Sequence, residues 1–127
     1  MTLNLGAVAA RRLRRAYQKI GVALTLTDAA SGATFTFQGR VTVLVFAEQA
    51  SYFTSAQTAG WARPVFKVQI AGDWRSIGVG PFVGDTVALP TGTGAPGATL
   101  DYQVRKVDRS SFAGTVYRTI LYVSRSA

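Results

Sequence analysis

The chain contains no cysteine and no histidine, and each absence removes a class of chemistry. Without cysteine there is no disulfide, no zinc–thiolate site and no thiol nucleophile. Without histidine the chain lacks the commonest zinc ligand, the commonest general base and the central residue of a Ser-His-Asp triad. Neither absence decides between a reducing and an oxidising compartment.

Acidic residues are scarce as well: six Asp and Glu stand against fourteen Lys and Arg, a formal net charge of +8 at pH 7. Four of the six neighbour turn signals, where Asp bonds to nearby backbone amides. These four are Asp28, Asp73, Asp85 and Asp108. A glycosidase or a two-metal site needs carboxylates that converge, and this distribution predicts no convergence. We therefore predict that the protein is not an enzyme and has no catalytic residue, no metal ligand and no cofactor.

Long hydrophobic runs are also missing from the chain. None approaches the roughly 20 residues that span a bilayer, so we name no membrane among the expected partners. Residues 1–20 are Arg-rich and free of acids, as organelle-targeting peptides are, but we interpret them as part of the folded domain. The excess of positive charge by itself favours anionic partners, with nucleic acid first and acidic protein or membrane surfaces next.

The residues that are present predict a single, mainly β domain over residues 1–127. This length is near the commonest domain size, and a hydrophobic content of 48% is enough for a core. Thirteen glycines, many Thr and Val residues and short apolar runs favour strands. We expect a small β-barrel or sandwich of about seven strands in residues 22–127, after an N-terminal amphipathic helix in residues 1–21.

The N-terminal helix is predicted from apolar residues that recur at spacings of three and four. They are Leu3, Ala7, Ala10, Leu13, Tyr17 and Ile20. Thr2 or Asn4 is suited to cap the start of the helix, and Gly21 is suited to end it. The opposite wall carries Arg11, Arg12, Arg14, Arg15 and Lys19, which we name the basic face. Two interpretations stay open: a solvated helix face, or a surface that contacts an anionic partner.

Beyond the helix the hydrophobic period changes from 3.6 to 2, which indicates strands. The segments "VALTLT" and "ATFTF" form a predicted hairpin around the turn "DAASG". The next strand, "RVTVLVF" (Arg40–Phe46), is apolar on both faces after Thr42. We therefore expect it to be covered on two sides, at the centre of a barrel or in an interface. Further strands are predicted at 63–70, 74–80, 85–90, 100–107 and 114–125.

Residues 47–62 form a long segment without clear periodicity. Sixteen such residues exceed the ordinary loop, which favours a function or disorder. Tyr52, Phe53 and Trp61 lie within it, and so many aromatic rings are unusual in a solvated loop. The alternative is that these rings pack back onto the barrel, with a short helix around Ser51–Gln57.

One candidate function is the binding of single-stranded nucleic acid, because small barrels of this kind stack bases on aromatic rings. The last two predicted strands carry Tyr102, Arg105, Lys106, Tyr117, Arg118 and Tyr122. Strand alternation places Tyr117 and Arg118 on opposite faces, which separates a stacking ring from a phosphate-binding cation. The same alternation separates Tyr102 from Arg105. We therefore keep this function as an alternative.

The order of the parts along the chain is itself a pattern. A helix, a hairpin, a two-sided strand and a long loop lead into "RPVFKVQI" and "VGDTVALP". The chain then ends in "LDYQVRKVDRSSFAGTVYRTILYV", which holds a glycine-bearing turn between two strands. This order resembles the small head-completion or stopper proteins of long-tailed phages, the lambda-type head–tail joining family, over nearly the whole chain. Related tail-terminator proteins share the pattern and stay an alternative.

The resemblance implies a virion protein, assembled in the host cytoplasm, that forms a ring between the portal–adaptor complex and the tail. Such a ring commonly has six subunits, closes the DNA channel after packaging and offers the tail a docking surface. Its implied partners are further copies of itself, the portal or adaptor ring, tail proteins and packaged double-stranded DNA without sequence readout. The segment 47–62, with Tyr52, Phe53 and Trp61, would face the lumen.

For the basic face, the resemblance implies contact with packaged DNA or with an acidic rim of the neighbouring ring. The rim is slightly favoured, because connector rings usually dock through terminal segments. The chain departs from the family here, since its basic helix is longer and richer in arginine than the resemblance leads us to expect.

Overall fold

The computed structural model of the chain describes residues 4–72, 83–90 and 99–126. Within them the fold is mainly β with one N-terminal helix, as the hydrophobic pattern predicts. The elements are α1 (Leu5–Ile20), β1 (Val22–Thr27), β2 (Thr34–Val43), α2 (Phe46–Tyr52), α3 (Ser55–Thr58), β3 (Trp61–Ala71), β4 (Thr86–Pro90), β5 (Thr99–Phe112) and β6 (Thr115–Ser126). The strand predicted at 74–80 and the helix cap predicted at Thr2 lie outside the described residues.

The described strands form a closed antiparallel barrel in the order β1-β2-β3-β6-β5-β4, and the pairing of β4 with β1 closes it. The hairpin predicted from the first two β segments is confirmed as the β1–β2 pair. Side chains fill the interior: Leu24, Leu26, Phe37, Val68, Ile70, Val87, Leu89, Tyr102, Val104, Leu121 and Val123. A barrel this small is therefore a packed core, and contacts with partners fall to its outer surface.

Strand β2 differs from the prediction, because "ATFTF" and "RVTV" are one continuous strand that ends at Val43. Gly39 lies inside this strand, opposite both Val22 and Ile70. A Cβ on Gly39 would lie 3.0 Å from the carbonyl oxygen of Gln69 and 3.2 Å from Leu24 Cδ1. Glycine thus marks a close approach between neighbouring strands rather than an interruption.

The strand buried on both faces is β6, whereas the sequence analysis assigned this role to Arg40–Phe46. Every residue from Thr119 to Ser124 is buried. The inner side chains fill the barrel, while Ile120 and Tyr122 belong to a second apolar cluster on the outside of the barrel. By contrast, Val43 is 57% exposed at the end of β2. The barrel-centre alternative for Arg40–Phe46 is therefore wrong, and the interface alternative stays a prediction.

Helix α1 lies on the outside of the barrel, against β6, β3 and β2. Asn4 caps its start, since the backbone N–H of Ala7 donates to Asn4 Oδ1 at 3.1 Å. The predicted stripe is buried at Ala10 and Tyr17, but Ile20 is 62% exposed. Ile20 is exposed because the helix ends there and the chain changes direction at Gly21 to enter β1.

Two glycines set how closely α1 approaches the barrel. A Cβ on Gly6 would lie 2.5 Å from Thr115 Cβ. A Cβ on Gly21 would collide with the carbonyl oxygen of Tyr17 and would lie 2.7 Å from that of Gly39. Gly21 has an ordinary φ of −85°, so its small size, not a left-handed backbone, is what this position requires.

Candidate interaction surfaces

The basic face of α1 is fully presented to solvent. All five of its side chains are exposed. The helix contains no acidic residue, and among residues 4–72, 83–90 and 99–126 no carboxylate forms an ion pair with these cations. Arg14 lies on the flank nearest β3, where its Nη2 would be 3.7 Å from a Cβ on Gly72. The structure thus brings the five predicted residues together on one surface.

A further cation, Arg118, lies between α1 and the barrel wall, and Arg40 lies nearby at an exposed position. The hydroxyl of Tyr17 donates to Gln69 Oε1 at 3.2 Å, and Arg118 Nη1 donates to the same oxygen at 3.2 Å. Arg118 Nη2 also donates to Ser110 Oγ at 3.2 Å. Burial raises the pKa of Tyr17, and the nearby charges of Arg118 and Arg40 partly oppose this. Positive charge therefore continues from the helix onto the sheet.

The aromatic residues of segment 47–62 pack on the outer wall of β6, as the alternative interpretation proposes. The buried ring of Phe53 stands edge-on to Trp61, with centroids 4.8 Å apart, and to Tyr122 at 5.8 Å. Tyr52 lies 5.1 Å from Tyr122. We name Tyr52, Phe53, Trp61 and Tyr122 the aromatic cluster. The segment contains α2 and α3 instead of one helix at Ser51–Gln57, and its proposed position in a ring lumen stays a prediction.

Two cations cover the aromatic cluster from the solvent side. Arg105 Cζ lies 5.2 Å from the centroid of Trp61. Lys106 Nζ lies 4.9 Å from the centroid of Tyr52 and 5.7 Å from that of Tyr122. Burial lowers the pKa of Arg105, whose Nε donates to Ser124 Oγ at 3.0 Å. These contacts stabilise the cluster as cation–π pairs.

Arg105 and Lys106 share one face because β5 contains a bulge between Val104 and Lys106. Strict alternation along the strand does not predict this arrangement. The signal was present in "VRKV", where two polar residues stand between Val104 and Val107. The separation predicted for Tyr102 and Arg105 is confirmed, since Tyr102 lies inside the barrel.

An apolar groove opens where β2 ends and β3 begins, with a volume of about 280 Å³. Its lining residues are Val43, Leu44, Val45, Gln49, Arg63, Pro64 and Val65, and we name it the β2–β3 groove. Val43 and Val45 are 57% and 54% exposed, whereas Leu44 between them is buried. The groove is therefore the surface at which the apolar "VLV" run meets solvent.

A second apolar pocket of about 200 Å³ lies at the end of the barrel where β1 begins. Its lining residues are Val22, Val41, Phe66, Leu89, Pro90, Leu100 and Tyr102. These side chains carry no charge, and the hydroxyl of Tyr102 is the one polar side-chain group among them.

Three of the described carboxylates are tied into local structure. Asp28 Oδ2 accepts from the backbone N–H and the hydroxyl of Ser31, and Asp85 Oδ1 accepts from the N–H of Ala29 at 3.0 Å. Asp108 forms an ion pair with Lys106 at 3.5 Å. In the described residues no three acidic side chains come together as metal ligands would. Nor does any helix among them combine the length and apolarity needed to cross a membrane.

Asp28 makes stability depend on pH. The hydrogen bond from the Ser31 hydroxyl lowers the pKa of Asp28. Because the folded-state pKa lies below that of the unfolded chain, about 3.9, this stabilisation is present above pH 4 and disappears as pH falls through the lowered value. We expect urea unfolding between pH 2 and 6 to show this loss in the wild type and a smaller one in Asp28→Asn. Asp101→Asn, at an exposed position, is the control; equal pH profiles for wild type and Asp28→Asn would contradict the assignment.

Comparison of the chain with protein-family models and with curated proteins found no match. Three of the described surfaces are suited to contact with a partner. These are the basic face of α1, the aromatic cluster with its two cations, and the β2–β3 groove. Each has a different chemistry and suits a different kind of contact.

Proposed function

We propose that the protein is a structural subunit of a phage head–tail connector. In this role, copies of the chain form a ring that closes the DNA channel after packaging and provides the docking surface for the tail. The observation that supports the proposal best is the uncovered β2–β3 groove. The resemblance in the order of parts supplies the identity of the assembly.

The groove favours self-association because its apolar side chains are exposed in the single chain. Val43 and Val45 are both more than half exposed, on either side of the buried Leu44. Burial of such surface contributes roughly 25 cal/mol for each Å² removed from water. The sequence of the run after Thr42 predicts cover on two sides. In the part of the chain that the structure describes, only one side of this run is covered. A neighbouring copy supplies the other.

A ring follows when such a contact is heterologous, that is, when the groove meets a different surface on the next copy. Heterologous contacts generate closed rings if the rotation between neighbours closes, and filaments if it does not. The filled barrel interior supports the same role, because it leaves the outer surface to make all contacts with partners. The proposal includes no catalytic step.

Two other functions share some of these features. A tail terminator would also be a ring, and the groove suits it equally well. A single-stranded nucleic-acid-binding barrel would need aromatic faces free for bases. Phe53 and Tyr122 are only 8% and 2% exposed, and Arg105 and Lys106 lie over the more accessible rings. The aromatic cluster therefore favours this last function less.

The test compares the oligomeric state of the wild-type chain with that of a variant that carries charged residues in the groove. We expect sedimentation and electron microscopy to show wild-type rings with a central hole wide enough for duplex DNA. Val43→Lys/Val45→Lys should stay folded, since both side chains are exposed, but should sediment as a monomer. Val83→Lys is the matched control, because Val83 is 68% exposed and precedes β4 at the other end of the barrel.

Two results would count against the proposal. One is a wild-type chain that stays monomeric at every concentration tested. The other is a groove variant whose rings form as readily as those of the wild type, with a circular dichroism spectrum that shows the same fold. If only Val83→Lys failed to form rings, the interface would lie near Val83 and not at the groove. That result would also disprove the role proposed for the groove.

A further inference from the structure

The basic face of α1 is arranged as a row as well as a cluster. Arg11, Arg15 and Lys19 follow one another at intervals of four residues, with side chains roughly 6 Å apart. The row extends over about 12 Å of the helix, at 1.5 Å for each residue. Like charges at this spacing repel one another, so the row weakens the helix that carries it. A partner with a matching row of negative charge removes this repulsion.

The helix dipole does not account for the row. Its favourable interaction with cations is confined to the last turn of a helix. Of the five basic residues only Lys19 lies in the last turn of α1. The four arginines therefore gain little from the dipole, and no carboxylate among the described residues pairs with them.

The composition of this face distinguishes nucleic acid from protein as its partner. From Arg11 to Lys19, the exposed residues are the five cations and Gln18. Protein–protein interfaces have an apolar centre, which this stretch lacks, although Arg itself is enriched in them. Protein–DNA interfaces are polar and strongly positive. An acidic protein rim thus fits the face less well than a phosphate backbone does.

The features of the same face favour duplex over single-stranded nucleic acid as the partner. Proteins that bind single strands without sequence preference stack the bases on exposed aromatic side chains. The aromatic residue of α1, Tyr17, is 3% exposed and is hydrogen-bonded to Gln69 on the barrel side. Duplex DNA presents one negative charge for about every 1.7 Å of its axis and needs no stacking partner.

We infer that the basic face of α1 binds the phosphate backbone of duplex DNA without sequence readout. Arg40, exposed on β2 beside Tyr17, extends the same positive surface onto the barrel. This surface is separate from the β2–β3 groove, so the inference concerns a contact that the single chain can make before any ring forms.

Salt dependence tests the inference directly. We expect the full chain to bind two 30-base-pair duplexes of unrelated sequence equally well in fluorescence anisotropy. Five phosphate contacts predict a slope of log K against log salt of about −4.5, at 0.9 for each contact. Arg11→Gln/Arg15→Gln should reduce the size of this slope by about 1.8, and Arg15→Gln alone by about 0.9.

Matched variants separate this effect from a change in total charge or folding. Arg125→Gln removes the same charge from an exposed position at the end of β6 and should leave the slope unchanged. Arg11→Lys/Arg15→Lys keeps both charges and should bind as the wild type does. Thermal unfolding of each variant should give an unchanged midpoint, which shows that the substitutions do not affect folding.

Three results would overturn the inference. The first is unchanged salt dependence in Arg11→Gln/Arg15→Gln. The second is equally tight binding of poly-glutamate at matched charge, which would assign the face to an acidic protein. The third is stronger binding of a 30-nucleotide single strand than of the duplex. Sedimentation of the same variants reports ring formation separately, so failure of this inference is distinguishable from failure of the proposed assembly.

Discussion

Tyr122→Ala should lower the free energy of unfolding by about 3–5 kcal/mol, the usual cost of removing a large buried ring. Tyr122 is 2% exposed and lies at the centre of the aromatic cluster, in contact with Phe53 and Tyr52. The substitution leaves a cavity between β6 and the α2–α3 segment, and it also removes a ring that Lys106 covers. The total free energy of unfolding of a small domain is about 5–15 kcal/mol, so this loss is a large fraction of the total stability.

Urea unfolding gives this free energy, and chymotrypsin cleavage at Tyr52 and Phe53 shows whether the α2–α3 segment is released. Tyr122→Phe is the control, because it keeps the ring and removes only the hydroxyl. Burial raises the pKa of that hydroxyl, with smaller contributions from Tyr52 and Asp108. We expect the Phe variant to lose at most about 1.5 kcal/mol, because it keeps the ring and removes only the hydroxyl. A Tyr122→Ala protein within 1 kcal/mol of the wild type would show that the cluster contributes little.

Gly21→Ala should destabilise the protein by about 1–3 kcal/mol, although it adds only a methyl group. The new Cβ would collide with the carbonyl oxygen of Tyr17 and come within 2.7 Å of that of Gly39. Both are backbone atoms, so no rotation of a side chain relieves the overlap. Relief requires α1 to move away from β2, at the expense of the 2.8 Å bond from the Gly21 N–H to Tyr17.

Gly60→Ala is the matched control for this substitution. A Cβ at Gly60 would meet nothing within 4 Å, and Gly60 does not have a positive φ. It should be neutral or slightly stabilising, because alanine restricts the unfolded chain. Thermal and urea unfolding of the two variants compare the positions directly. If Gly21→Ala proves as stable as Gly60→Ala, the approach of α1 to the barrel is looser than its geometry indicates.

Local patterns in the sequence were enough to predict α1 and the described strands, but not all of their ends and not the helices α2 and α3. The change of period at Gly21 separates α1 from the strands, and the structure has the same boundary. Strand β2, however, continues through Gly39, because the two strands beside it need a residue without a side chain there. No spacing within "FQGRV" reveals that requirement, which arises from residues distant in the chain.

The interaction surfaces divide in the same way. The exposure of Arg11, Arg15 and Lys19 follows from helical geometry alone, once Tyr17 and Ala10 face the barrel. The aromatic cluster does not follow from local geometry. Tyr52 and Trp61 pack with Tyr122 only when α2, β3 and β6 come together. The pairing of Lys106 with these rings depends further on the bulge in β5.

Local sequence patterns are sufficient to predict the mainly β class, the N-terminal amphipathic helix and the positively charged face of that helix. Each depends on residues close together in the chain, where the periods of helix and strand act directly. Tertiary structure alone decided that the barrel closes, that β6 is buried on both faces, and that the "VLV" run of β2 remains partly exposed. Those outcomes depend on register and on contacts between distant segments, which local periodicity does not encode.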